Sequence, residues 1–152
     1  MTNFIEIKIK RLSENFKDVS LPSYATDGSS GMDVRATVRE EIIIPAGKVV
    51  LVPTDFSVEI PEGYEIQVRP RSGLAAIHNI GILNSPGTID SDYRGEVKII
   101  LMNFGDKDFI ISRGERIAQL VVSKIYKASL KESNNLESSK RGEGGFGHTG
   151  KS

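Results

Sequence analysis

Gly87-Thr88-Ile89-Asp90-Ser91-Asp92-Tyr93-Arg94-Gly95, read with the run Val97 to Leu101 beyond it, decides how this chain is organised. Ile89 closes a short extended run, Ser91, Asp92 and Gly95 are turn formers, and Val97 to Leu101 is apolar and β-rich. The pattern predicts a hairpin with Asp90 near its tip. A carboxylate held there is anionic at neutral pH, because an unperturbed aspartate titrates at about 3.9, and it can accept a proton from water or a hydroxyl. Two aspartates in an isolated turn more often only build the turn. The rest of the chain separates the two readings.

Upstream, Ile5, Ile7 and Ile9 alternate with Glu6, Lys8 and Lys10, the period of a strand with one buried face. Asp33 to Val38 and Glu41 to Ile44 follow, then the turn signal Pro45-Ala46-Gly47. Lys48 to Ile60, interrupted at Pro53, closes on Pro61-Glu62-Gly63 before Tyr64 to Arg69, again strand, turn, strand. Ser72 to Ile80 carries Leu74, Ala75, Ile77 and His78 at helical spacing, with Ser72 placed as N-cap. It is the one short helix expected. Strand signals return at Gly81 to Leu83, Thr88 to Ile89, Val97 to Asn103, Phe109 to Ile111 and Ile117 to Ile125. Short strands at this spacing indicate an all-β protein, either a barrel or a double-sheet jelly roll. Beyond Tyr126 the chain is polar, and Glu143 to Gly150 (EGGFGHTG) has too little apolar content to pack alone. The expected organisation is therefore a barrel over 1–126 and a linker with a flexible glycine-rich flap over 127–152.

Composition narrows the chemistry. A chain of 152 residues can bury one core. It has no cysteine, which removes disulfides, thiolate metal sites and a cysteine nucleophile, and fits a reducing cytoplasm. The N-terminus lacks the apolar run of a signal peptide and no stretch approaches a membrane span, so a cytoplasmic protein without a membrane partner is expected. Residues 1–123 hold 14 basic and 17 acidic side chains (14 − 17 = −3), and 124–152 hold 6 and 3 (6 − 3 = +3). That surplus falls short of a nucleic-acid-binding stripe and suits a small polyanion.

Pro70-Arg71-Ser72-Gly73 puts a guanidinium, a hydroxyl and the first amides of the helix within one turn, where anions are favoured. An arginine at that position is also a common surface residue. Gln119 is a polar side chain within an apolar strand, and its bland reading is an outward face; Arg116 shares the ambiguity. The tail reads in two ways: as a flexible glycine-rich end that does nothing, or as a mobile flap whose glycines allow close approach of backbone amides, with Arg141 supplying charge and Phe146, a lone large apolar residue, covering a flat partner such as a nucleobase. His78 and His148 are far apart, and the acids form no calcium loop, so a built-in metal cage is not expected; magnesium arriving on a polyphosphate is compatible.

These segments together resemble the trimeric dUTPase family over roughly Gly31 to Gly150. Its five motifs appear in order: SSGMDVRA at Ser29 to Ala36, PRSGLA at Pro70 to Ala75, GTIDSDYRG, GERIAQL at Gly114 to Leu120, and RGEGGFGHTG at Arg141 to Gly150. Five short patterns in register are far more specific than one. The resemblance implies an all-β, jelly-roll-like β-barrel assembled as a homotrimer with active sites shared among subunits, hydrolysing dUTP to dUMP and pyrophosphate. That activity limits uracil in DNA and supplies dUMP for thymidylate synthesis. It implies that Asp90 contacts the 3′-hydroxyl and orients the water attacking the α-phosphorus. Main chain at Gly87, Thr88, Ile89 and Lys98, with the Asn84 side chain, would read uracil, and Tyr93 would exclude a ribose 2′-hydroxyl. Arg71, Ser72, Gly73 and Gln119 would hold phosphate, and Asp33 would touch water on Mg2+. Arg141 would meet phosphate and Phe146 would stack on the base. Ser30, Val34, Glu115 and His148 depart from the commoner residues of the motifs.

Two other readings stay open. A dCTP deaminase shares the barrel and the aspartate-bearing hairpin, but needs a glutamate ten positions after the aspartate, where this chain has Ile100. A catalytically silent nucleotide-binding regulator is the second.

Overall fold

The computed structural model describes residues 4–145. Twelve strands and one helix follow one another: β1 (Lys8–Arg11), β2 (Ser23–Tyr24), β3 (Met32–Arg35), β4 (Ile42–Ile44), β5 (Val49–Pro53), β6 (Phe56–Glu59), β7 (Tyr64–Arg69), α1 (Ser72–His78), β8 (Ile80–Ile82), β9 (Gly87–Ile89), β10 (Lys98–Asn103), β11 (Phe109–Ile111) and β12 (Arg116–Lys124). The all-β, jelly-roll-like expectation stands.

Every pairing is antiparallel. The largest sheet runs β2-β3-β12-β7-β9, a second runs β5-β10-β8, and the pairs β1-β6 and β11-β4 complete the set. Alternation fixes what each strand buries: in β10, Ile99, Leu101 and Asn103 point inward, and in β12 Ile117, Ala118 and Leu120 do so. With Val34, Ile44, Val52, Phe56, Ile66 and Ile111 they form one contiguous core. Asn103 is the polar member, and it is satisfied: Nδ2 donates to the carbonyls of Ile44 at 2.9 Å and Lys107 at 2.7 Å, and Oδ1 accepts from Gly105 N at 2.9 Å.

Several expectations need correction. The hairpin at GTIDSDYRG is not a laddered one: β9 pairs with β7, while β10 pairs with β5 and β8. The turn instead carries the chain from one sheet to the other, because the apolar sets of the two strands face the core from different layers. Ser72 is not the N-cap. Arg71 occupies that position with extended backbone (φ −89°, ψ 129°) and no side-chain cap, and the helix stops at His78 with Asn79 in the left-handed region at φ 56°. Of the helical apolar residues only Leu74 is buried; Ile77 is 74% exposed. The N-terminal alternation does not bury a full face either. Strand pairing begins at Lys8, Ile7 is partly buried, and Ile5 and Ile9 stay over a third exposed, since β1 is laddered only to β6. Lys48 to Ile60 divides into β5 and β6 at Thr54-Asp55, with Asp55 at φ 58°. No helix among the described residues is long and apolar enough to cross a membrane.

Candidate active site

The splaying of β9 from β10 creates the site. β9 is the edge of its sheet, and Lys98 and Ile99 of β10 are laddered on one side only, to β5, because β8 engages β10 from Leu101 onward and the Leu83 amide takes the Ile100 carbonyl at 3.2 Å. Two strand edges with unladdered main-chain groups thus border one cavity of about 420 Å³, within the range of small-molecule sites. Gly87, Thr88, Ile89 and Asp90 line one wall, Lys98 and Ile100 the other, and Asn84 and Tyr93 border it as well. Gly87 and Lys98 share a cavity without being paired.

Asp90 follows the last residue of β9 and is exposed on this cavity. Its carbonyl accepts the Tyr93 amide at 3.2 Å, which closes a turn and fixes where the carboxylate starts. The Tyr93 hydroxyl donates to the Glu96 carbonyl at 2.9 Å. Gly95 leaves the ring its seat: a Cβ there would lie 2.3 Å from the Tyr93 Oη and 2.6 Å from Cζ.

A second cluster forms elsewhere. Asp33 on β3 accepts from Arg71 Nε at 3.2 Å through Oδ1 and from Arg116 Nη1 at 3.0 Å through Oδ2. Arg71 Nη1 also reaches the Arg116 carbonyl at 3.2 Å. Gln119 faces Asp33 across the β3–β12 ladder and Arg69 across the β7–β12 ladder, and its Nε2 donates to the Pro70 carbonyl at 3.0 Å. A bulge between Arg116 and Ala118 re-aims Arg116 toward Asp33. Gly31 leaves room for the Gln119 side chain as it lies here: a Cβ would sit 2.3 Å from Gln119 Oε1 and 3.2 Å from its Cβ, so the amide would have to move. Ser72 and Gly73 are exposed beside the cluster at the helix start. Among the described residues no group of three His, Cys, Asp or Glu could hold a metal.

The anticipated site residues therefore fall into two groups. Asn84, Gly87, Thr88, Ile89, Asp90, Tyr93 and Lys98 come together, and so do Asp33, Arg71 and Gln119, with Ser72 and Gly73 adjoining. One chain does not unite them. In the β7–β9 ladder Val68 faces Gly87. Arg71 lies three residues beyond one partner and Asp90 three beyond the other, in opposite directions, roughly 20 Å apart at about 3.3 Å per residue. Arg141 is exposed and donates from Nε to the Gly144 carbonyl at 2.7 Å, within its own turn. Phe146 and His148 lie outside the described residues.

Sequence reasoning missed two participants. Arg116 is ambiguous in the sequence, because the bulge that turns it toward Asp33 has no sequence signal. Glu96 was overlooked although it lines the cavity, and only tertiary contacts reveal its partners: Oε1 accepts from Thr54 N at 3.3 Å and Asp55 N at 3.1 Å, and Oε2 lies 3.5 Å from Lys98 Nζ.

Fold and site together define a jelly-roll-like β protein with a cavity between two strand edges and a separate arginine–aspartate cluster. A family model described as dUTPase matches residues 17–150. The deoxyuridine 5'-triphosphate nucleotidohydrolase of Rickettsia bellii (strain OSU 85-389) is 53% identical over 145 residues, 95% of each chain. That of Fusobacterium nucleatum is 52% identical over 146 residues, 96% of this chain and 99% of its own. Among solved structures, the Staphylococcus bacteriophage 80alpha dUTPase with dUPNHPP superposes with a TM-score of 0.83 at 29% identity, covering 95% of this chain and 98% of that one. The chain belongs to the dUTPase family.

Proposed function

We propose that the protein is a dUTP diphosphatase, hydrolysing dUTP to dUMP and pyrophosphate. The observation that carries this reading is Asp90 on the wall of a cavity bordered by two unladdered strand edges, in a chain of this family. The cavity takes the nucleoside. Main chain at Gly87, Thr88, Ile89 and Lys98, with the Asn84 side chain, reads the uracil edge, and a ring methyl is refused because a strand backbone yields less than a side chain. Tyr93 lies against the sugar and leaves no room for a 2′-hydroxyl.

The Asp90 carboxylate accepts a proton from a water poised against the α-phosphorus. The water oxygen bonds to that phosphorus, the α–β bridging oxygen leaves with its electron pair, and pyrophosphate departs. Charge grows on phosphate oxygens during this displacement, so positioned cations and donors supply most of the remaining catalysis. Arg71, Ser72, Gly73, Gln119 and Arg141 are those donors, and Phe146 stacks on the base.

A homotrimer supplies them. Within one chain Arg71 and Asp90 are too far apart for the two further phosphates of dUTP to bridge, which supports a phosphate site contributed by a neighbouring copy. The polar segment beyond Tyr126 has no helix or strand and is largely exposed through 145, which supports a barrel over 1–126 and a linker and flap over 127–152 that closes over a site. Mg2+ is the metal we assign. Both Asp33 oxygens already accept from arginines, so this carboxylate suits a water on the metal more than direct ligation, and a magnesium ion carrying phosphate oxygens and waters fits that donor set. When bound it offsets negative charge on the triphosphate. A cysteine-free chain supports a cytoplasmic setting.

Ile100 stands where deamination would need a proton-relaying glutamate; it lines the cavity and is apolar. Pyrophosphate release from dUTP, dTTP, dCTP and UTP with Mg2+ tests the reading. Turnover of dUTP alone is expected. Ammonia from dCTP, or no turnover of any of the four, would overturn it.

A further inference from the structure

We infer that Glu96 is a positioning residue for sugar discrimination. Its side chain pins the main chain from which Tyr93 is held, and so sets the wall of the cavity that refuses a ribose. The inference rests on the role given above to Tyr93.

The loop Ser91 to Gly95 is held mostly by bonds to itself. Tyr93 N donates to the Asp90 carbonyl, and Arg94 Nη1 donates to the carbonyls of Ser91 at 2.6 Å and Tyr93 at 2.9 Å. The Tyr93 hydroxyl has one partner among the described residues, the Glu96 carbonyl. Where that carbonyl sits is decided by the next layer. Glu96 Oε1 accepts from two successive amides, Thr54 at 3.3 Å and Asp55 at 3.1 Å, in the turn joining β5 to β6. The Thr54 hydroxyl returns a bond to the Val97 carbonyl, and Val97 N donates to the Phe56 carbonyl at 2.9 Å. Residues 96–97 are thus stapled to 54–56, and only one member of the staple is a charged side chain.

The turn is also held by main-chain bonds, Thr37 N to the Pro53 carbonyl and Leu12 N to the Asp55 carbonyl, each at 3.0 Å, but Glu96 is the side chain that takes its two free amides. Asp55 is 7% exposed with φ 58°, and its Oδ2 has no hydrogen-bond partner; nor has Thr37 Oγ1. Both residues border a second cavity of about 370 Å³, and Glu96 borders that cavity as well as the substrate cavity. Space on the far side means that a turn released by Glu96 can shift, and the Glu96 carbonyl shifts with it. Asp90 joins this chain of contacts only through its carbonyl, which accepts the Tyr93 amide, and its carboxylate makes no bond in it. Removing the Glu96 carboxylate should therefore loosen the Tyr93 wall more than it disturbs the catalytic carboxylate.

The test is kcat and KM for dUTP and for UTP, measured on the parent and on Glu96→Ala, Glu96→Gln and Tyr93→Phe, each checked for folding by circular dichroism. In Glu96→Ala the preference for dUTP over UTP, as a ratio of kcat/KM, should fall by about tenfold, with most of the change in KM. Glu96→Gln keeps an oxygen for the two amides and should retain the parental ratio. Tyr93→Phe, which deletes the hydroxyl bond to Glu96, should reproduce the Glu96→Ala ratio. A folded Glu96→Ala with the parental ratio, or a Glu96→Gln as impaired as Glu96→Ala, overturns the inference. If Glu96→Ala does not fold, Glu96→Asp, one methylene short of both amides, carries the same expectation and the same contradiction. A parent that fails to turn over dUTP at all would instead sink the preceding reading, and this one with it.

Discussion

Asp33 and Arg71 are joined across 38 positions of chain by a hydrogen bond of 3.2 Å between carboxylate and guanidinium Nε. The same carboxylate holds Arg116, so a single aspartate orients two cations. Asp33→Ala should leave both guanidiniums unaimed and lower kcat/KM for dUTP about tenfold or more, while Asp33→Asn, which keeps one acceptor, should lose less. Steady-state kinetics on the two variants checks it, and an unchanged kcat/KM in Asp33→Ala would count against the arginine cluster as the phosphate site.

The separation of Arg71 from Asp90 along the β7–β9 ladder makes a different prediction. Arg71→Ala and Asp90→Asn should each be nearly inactive alone. Mixed by co-expression or joint refolding, they should regain part of the parental turnover, because an assembled site then draws Asp90 from one copy and Arg71 from another. Sites built within single chains would always carry one defect, and mixing would restore nothing.

Arg113 fastens the segment before β2 to the turn before β12. Its Nη2 lies 2.5 Å from Asp18 Oδ1 and its Nε 2.9 Å from Oδ2, Nη2 also donates to the Asn15 carbonyl at 2.7 Å, and the guanidinium lies 4.5 Å from the Phe16 ring centre. The bond from Arg113 holds the Asp18 carboxyl below its ordinary value of 3.8. A depressed carboxyl adds stability above the unfolded pKa and loses it as pH falls through the folded one. The thermal midpoint of the parent should therefore exceed that of Arg113→Ala by more at pH 6 than at pH 3. Melting curves at both values decide, and a gap that widens in acid would contradict the assignment. Both groups are solvent-exposed, so the effect is small.

Much of this was legible in advance because the residues that punctuate short strands are themselves informative. Pro61-Glu62-Gly63 ended one strand, and Tyr64 to Arg69 appeared as β7 with the boundaries expected. The acids, arginines and Gln119 were found because their residue types and order resemble a known family. What remained hidden depended on partners distant in sequence. Alternation in Ile5, Ile7 and Ile9 shows which residues share a face, yet not whether anything covers it. The turn after Asp90 looked like a hairpin because local propensity does not reveal which neighbour a strand pairs with. Glu96 carried no local signal, since the amides it binds lie 42 and 41 positions away.

In the mechanism proposed for this site, everything turns on the Asp90 carboxylate activating the attacking water. Asp90→Asn keeps the shape and removes the base, so its turnover of dUTP should be measured beside its calorimetric affinity for dUPNHPP. Turnover should fall by about 10²–10⁴ with affinity near that of the parent. Turnover close to parental, or a loss no larger than the loss of affinity, would mean that Asp90 is not the base.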